Sequence, residues 1–130
     1  MNLKTDLKII LKSYGLKSGQ PLPPADCYID CRGVPDPSQA IGGSGLGFGG
    51  NGDLPAVQTW IASHIVLLPY REIVGDHLSK LSTRRGVGHE YDKPFIILTM
   101  CAHGIHRSRA MKHILARELR GVGYQHVRVE

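Results

Sequence analysis

Thr99-Met100-Cys101-Ala102-His103-Gly104-Ile105-His106-Arg107-Ser108 is the stretch that decides the fold, a short loop caught between an apolar run and an amphipathic one. Phe95 to Met100 reads as a buried strand. From about His106 to Arg120, the residues Ala110, Met111, Ile114, Leu115 and Leu119 recur at three- and four-residue spacing, the mark of a helix with one buried face. A strand that turns through a glycine-containing loop straight into a helix leaves the first helical N–H groups unpaired and facing that loop. With the positive end of the helix dipole, those groups make an anion site. Arg107 adds a guanidinium able to grip two phosphate oxygens, and Ser108 adds a hydroxyl.

Working outward, Leu7 to Lys12 reads as a first strand and Ser13 to Pro21 as the loop that ends it. Cys27 to Cys31 reads as a second strand, which brings Asp30 and Arg32 to its carboxyl end, the edge where open α/β sheets bind ligands. Val34-Pro35-Asp36-Pro37 is a rigid turn. Residues 38–53 are glycine-rich, centred on Gly42 to Gly52, and read as a mobile loop or lid. Gly45 to Gly50 superficially suggests a dinucleotide fingerprint, but no strand precedes it and no helix follows at once. A helix is expected to start at Asp53 or Leu54, under an acidic cap with Pro55 behind it, and to turn Val57, Trp60, Ile61, His64 and Ile65 inward until Pro69 breaks it. Trp60 reads as a core filler. A further helix is expected from Tyr70 to Ser82, with Ile73, Val74, His77, Leu78 and Leu81 inward. Thr83 to Lys93 then reads as a solvated connection, and Gln125 to Val129 as a last edge strand after Gly121-Val122-Gly123 stops the long helix.

This pattern predicts a single α/β domain, with a small, mainly parallel or mixed sheet of about four strands flanked by helices and a phosphate-binding loop between strand and helix. A chain of 130 residues suits one such core. No apolar run approaches the ~20 residues needed to cross a bilayer, and Met1 to Lys12 mixes charge with aliphatic residues, unlike a signal peptide. A cytoplasmic location is expected, with no membrane partner. Cys27 and Cys31 lie four residues apart on one strand, ~13 Å from each other, too far for a disulfide, so Cys27, Cys31 and Cys101 are expected to be reduced thiols. The formal net charge of +5 favours anionic partners without naming one.

Three chemistries compete for the central loop. Cys101-x-x-Gly104-x-x-Arg107-Ser108 is the cradle pattern of cysteine-dependent phosphatases, in which loop N–H groups and the arginine hold phosphate oxygens while the helix terminus favours a thiolate nucleophile. Such an enzyme also needs a carboxylic acid for the leaving group, which Asp36 or Asp30 would supply. Met100, however, stands where those phosphatases usually carry a histidine. Cys101, His103 and His106 are zinc-type ligands, but Arg107 beside them repels a cation, and neither metal nor cofactor is expected. The plainest alternative makes Cys101 a small buried residue at a strand end and the histidines surface residues.

Cys101 to Ser108 also resembles the Cys-Thr-Gly-Gly-x-His-Arg-Ser loop in the C-terminal domain of the RapZ family, bacterial RNase adapter proteins. Ser13-Tyr14-Gly15-Leu16-Lys17-Ser18-Gly19-Gln20-Pro21 looks like that family's Ser-Phe-Gly-(Tyr/Phe)-Lys-x-Gly-x-Pro, and Asp30-Cys31-Arg32-Gly33-Val34-Pro35-Asp36-Pro37 looks like its Asp-x-Arg-x-x-Pro-Asn-Pro. The resemblance implies an α/β domain that binds a phosphorylated amino sugar and, in the full-length adapter, small RNA. It places the pocket at His103, Gly104, Ile105, His106, Arg107 and Ser108, with Asp30 and Arg32 approaching from the second strand. His103 stands where the family has a small residue.

The reading is a stand-alone RapZ C-terminal-like regulatory domain that holds a phosphosugar, nucleotide, phosphate or sulfate. The family's N-terminal ATP-binding domain and its basic tail are not expected here, and loss of that tail weakens RNA affinity that rests on phosphate neutralisation. RNA contact is expected through Arg84, Arg85, Lys112, Arg117 and Arg120, and the edge strands leave room for a homodimer. The alternative is a phosphatase with Cys101 as nucleophile and Asp36 as acid.

Overall fold

Leu7, Ile9 and Leu11 alternate with more exposed neighbours and are fully buried, as period-two patterning requires of a strand with one covered face. In the computed structural model, which describes residues 3–37, 51–85 and 93–130 (82–85 as backbone only), Ile9 and Leu11 belong to the first of four strands and Leu7 immediately precedes it. In chain order the elements are α1 (Leu3–Asp6), β1 (Lys8–Gly15), β2 (Cys27–Asp30), α2 (Pro55–His64), α3 (Leu68–Arg85), β3 (Phe95–Cys101), α4 (Arg107–Gly121) and β4 (His126–Val129). The sheet order is β2-β3-β1-β4 and every pairing is parallel. The protein is an α/β domain.

The topology explains why α2, α3 and α4 cover one face. The crossover from β2 to β3 carries α2 and α3, and that from β3 to β4 carries α4; both advance in the same direction across the sheet. Parallel crossovers are right-handed, so both place their helices on the same side. Accordingly α4 packs on β1, β3 and β4, α3 on β2, and α2 against α4. The covered face buries Ile9, Leu11, Ile29, Phe95, Ile97 and Thr99, against which α4 presents Ala110, Met111, Ile114, Leu115 and Leu119, all buried as its periodicity implies.

Several details differ from the sequence expectation. Pro69 does not end α2; it is the second residue of α3, where a missing N–H costs nothing. Leu54, not Asp53, caps α2, and no side chain caps it. Ile73, expected inward, is 40% exposed, and His64 is exposed. Trp60 is only partly buried at the edge of the core and stacks on His64 with ring centroids 4.4 Å apart. The backbone of α3 runs on to Arg85, through the start of the expected connection. Residues 38–50, which hold most of the glycine-rich stretch and its fingerprint-like run, lie outside the described residues, as do the side chains of Arg84 and Arg85. Among the described residues no helix is long and apolar enough to cross a membrane.

Ile97 sits fully buried in β3 between β1 and β2. Replacement by alanine removes apolar contact and leaves a void on the rigid sheet, so Ile97→Ala is expected to cost about 2–5 kcal/mol in urea unfolding without loss of the helical circular-dichroism signal.

Candidate functional site

The carboxyl ends of β1, β2 and β3 meet at one edge, and the loop from Cys101 to α4 lies across it. Two glycines make that crossing possible. Gly104 takes a φ of +73°, and a β-carbon there would stand 2.6 Å from the Gly15 nitrogen; one on Gly15 would stand 2.6 Å from the His103 carbonyl carbon and oxygen. The loop therefore lies directly on the end of β1, backbone against backbone. The chain beyond β1 fastens it there, with the Leu16 N–H donating to the Cys101 carbonyl and the Lys17 N–H to that of Ala102, both at 2.8 Å. The Tyr14 hydroxyl, which donates to the Gln20 carbonyl, folds the intervening loop back.

Inside this crossing lies Cys101, 2% exposed. Its sulfur accepts from the Gly104 N–H at 3.2 Å and is hydrogen-bonded to the Ser108 hydroxyl at 3.1 Å, the neutral thiol donating. Burial works against a thiolate here. The Ser108 side chain and backbone N–H, the Gly104 N–H and the Arg107 charge outweigh it, and hold the thiol below its ordinary value. The Thr99 hydroxyl donates to the Ser108 carbonyl at 2.7 Å and so fixes the first turn of α4 to β3.

Among the expected site residues, His103 and Ile105 are exposed, while His106 and Arg107 are partly buried. Ser108 is fully buried and its hydroxyl is engaged with the Cys101 sulfur. Arg107 donates through Nη1 to the Arg32 carbonyl at 2.8 Å, which joins the start of α4 to the end of β2. Asp30 and Arg32 are therefore beside the loop, but they are paired with each other at 2.7 Å. Hydrogen bonds from the Arg32 side chain, then from its backbone N–H, hold the Asp30 carboxyl below the usual range. A carboxyl held ionised in this way is poorly suited to donate a proton. Asp36, the other candidate acid, is half-buried in the turn after β2. The N–H groups of Ile105, His106, Arg107 and Arg109 have no acceptor among the described residues, and neither do the other guanidinium N–H groups of Arg107. His106, at the N-cap of α4, makes no side-chain cap hydrogen bond. Among the described residues no cluster suits a metal ion.

Residues that drew little notice in the sequence complete the site's support. The Gly52 N–H donates to the Ile105 carbonyl at 2.8 Å, and a β-carbon on Gly52 would stand 2.2 Å from the His106 oxygen. The end of the glycine-rich stretch is thus seated on the first turn of α4. Next to it Asp53, expected to cap α2, faces α4 instead and meets His113 at 3.0 Å, Arg109 at 3.4 Å and Lys112 at 3.8 Å. Lys112, expected on an RNA-facing surface, is only 7% exposed and donates to the Ser13 hydroxyl at 3.1 Å and to the Glu130 carbonyl at 2.8 Å. It holds α4 to β1 and to the chain beyond β4. Arg117 is bonded to the Gln58 side chain, and Arg120 to the Val127 carbonyl.

Comparison with known families bears on this edge directly, because the model of the RapZ C-terminal domain matches residues 7–130, with β1, β2, β3 and α4 all inside the match. The chain belongs to the RapZ C-terminal domain family. No curated protein matches it. The match takes in the loop from Cys101 to Ser108, the glycine it rests on and the Asp30–Arg32 pair.

Because the folded Cys101 thiol ionises more readily than a free cysteine at 9.0, its contribution to stability is present above that pH and is lost as pH falls through the folded value. Burial pushes Cys27 up to about 11 and Cys31 up to about 12. Ultraviolet titration of thiolate absorbance is expected to show one group ionising below 9.0 and two well above it, with the first moving upward in Ser108→Ala.

Proposed function

We propose that this RapZ C-terminal domain is a regulatory binding module that holds the phosphate of a small metabolite, a phosphosugar or a nucleotide, in the loop between β3 and α4. The supporting observation is a set of donors there that have no acceptor among the described residues. They are four backbone N–H groups at or just before the first turn of α4, together with the remaining N–H groups of the Arg107 guanidinium, at a helix terminus whose dipole favours negative charge. The second edge of Arg107 is held by the Arg32 carbonyl, so its fork is oriented before any ligand arrives. His103 and His106 add donors at the rim, while Asp30 and Arg32 face the non-phosphate part of the ligand.

Calorimetric titration with hexose phosphates, nucleoside monophosphates and inorganic phosphate tests this reading. Arg107→Ala is expected to weaken binding by about 10- to 150-fold, the equivalent of one charge-assisted bidentate contact of ~1.5–3 kcal/mol. Equal binding by both proteins refutes it.

One observation favours a second reading, a cysteine-dependent phosphatase. The lowered Cys101 thiol lies at the base of the same cradle, with Ser108 and Gly104 arranged to support the thiolate. In that chemistry Cys101 attacks the phosphorus and Asp36 protonates the leaving oxygen. Turnover of an aryl phosphate that vanishes in Cys101→Ser supports it, and absence of turnover with phosphate still bound leaves the binding module alone.

A further inference from the structure

Two of the three thiols are brought side by side by strand register. Ile29 lies opposite Thr99 and Asp30 opposite Met100, and the ladder continues by one rung, the Cys31 N–H donating to the Met100 carbonyl at 2.6 Å. Cys31 is therefore the neighbour of Cys101. Both are buried, as are Ile29 and Thr99 two residues before them, on the face that the helices cover. Adjacent strands run ~4.8 Å apart, inside the Cα separation of ~4.4–6.8 Å that a disulfide bridges. Cys31 lies one residue past the end of β2.

The two sulfurs are chemically unequal. Cys101 is the readily ionised one, supported by Ser108, Gly104 and Arg107. Cys31 stays protonated, pushed up chiefly by burial and further by the charges of Cys101 and Asp30. A low-pKa sulfur beside a second thiol is the arrangement in which the first is oxidised and the second resolves the product.

We propose that Cys31 and Cys101 form a peroxide-responsive pair that closes to a disulfide and unfastens the loop between β3 and α4. The Cys101 thiolate attacks the terminal oxygen of a hydroperoxide; an S–O bond forms, the O–O bond breaks, and the departing alkoxide or hydroxide takes a proton from solvent. The Cys31 sulfur then attacks the sulfenic sulfur of Cys101. The S–S bond forms, the S–O bond breaks, and the hydroxyl leaves with the Cys31 proton as water. Two electrons have passed from the thiols to the peroxide. The Cys101 sulfur, now bonded to Cys31, gives up its thiol proton and its thiolate charge, and with them the contacts to Ser108 and Gly104 that hold the loop to α4. Burial of Cys101 restricts the reaction to an oxidant as small as hydrogen peroxide.

The bridge itself is independent of the proposed ligand; only its effect on phosphate binding rests on that reading. Stoichiometric hydrogen peroxide, followed by peptide mapping without reduction, is expected to show a Cys31–Cys101 link, loss of two of the three free thiols, and recovery of both with dithiothreitol. In Cys31→Ser, with its fold checked by circular dichroism, unfolding the peroxide-treated protein in the presence of dimedone is expected to trap a sulfenic acid at Cys101. Faster amide exchange at Gly104 and Ser108 in the oxidised wild type reports the unfastened loop without any ligand. A wild type whose Cys101 proceeds to sulfinic acid with Cys31 still free, or a link that involves Cys27, overturns the proposal. Inorganic phosphate binding is measured on both redox forms. If neither binds while the link still forms, the binding reading fails and the redox pair stands.

Discussion

The contact on which the rest depends is the one between Gly15 and Gly104, two backbones closer than any side chain permits. It sits where β1 and β3 end together, since Gly15 is paired with Cys101 in register. Without it the loop after β3 would stand away from the sheet, and the first turn of α4 would lose its seat over the strand ends. A parallel sheet places its binding groups at this edge because every strand ends there. The glycine pair converts that general property into a definite geometry, with the thiol of Cys101 below and the open N–H groups of α4 above.

The charges around α4 divide into two kinds. Arg109 and His113 with Asp53, and Arg71 with Glu118, are partly exposed pairs that fix position more than they stabilise. Lys112 is different, since burial lowers its pKa while Asp53 opposes that shift. Its ammonium is committed to Ser13 and Glu130, so one member of the apparent basic stripe is an internal strut. The net charge of the chain therefore overstates the positive surface available to a polyanion.

Much of the fold was legible because it rests on local periodicity. Ala110, Met111, Ile114, Leu115 and Leu119 announce α4, and the run from Phe95 announces β3; the structure agrees at both. What periodicity leaves out is long-range. Pro69 looks like a terminator because proline both ends and begins helices, and only the packing of α3 shows which. Asp53 looks like a cap because the sequence does not reveal that His113 and Arg109 stand opposite. The candidate site was legible as a motif, Cys101 to Ser108 with Gly15 and Asp30, but not in the contacts its side chains make. Ser108 is turned to the sulfur and Asp30 is spent on Arg32, facts that depend on side-chain direction rather than spacing. Thr99 and Gly52 carried no signal, because their importance lies in backbones they meet from distant parts of the chain.

Gly52 has a further consequence for substitution. A β-carbon there would stand 2.2 Å from the His106 oxygen and 2.3 Å from the Ala110 nitrogen, both backbone atoms that cannot swing aside. Any larger residue at this position must therefore lift the chain off the first turn of α4, losing the hydrogen bond to the Ile105 carbonyl. A change one residue before Asp53 thus reaches the turn that carries Arg107 without touching it.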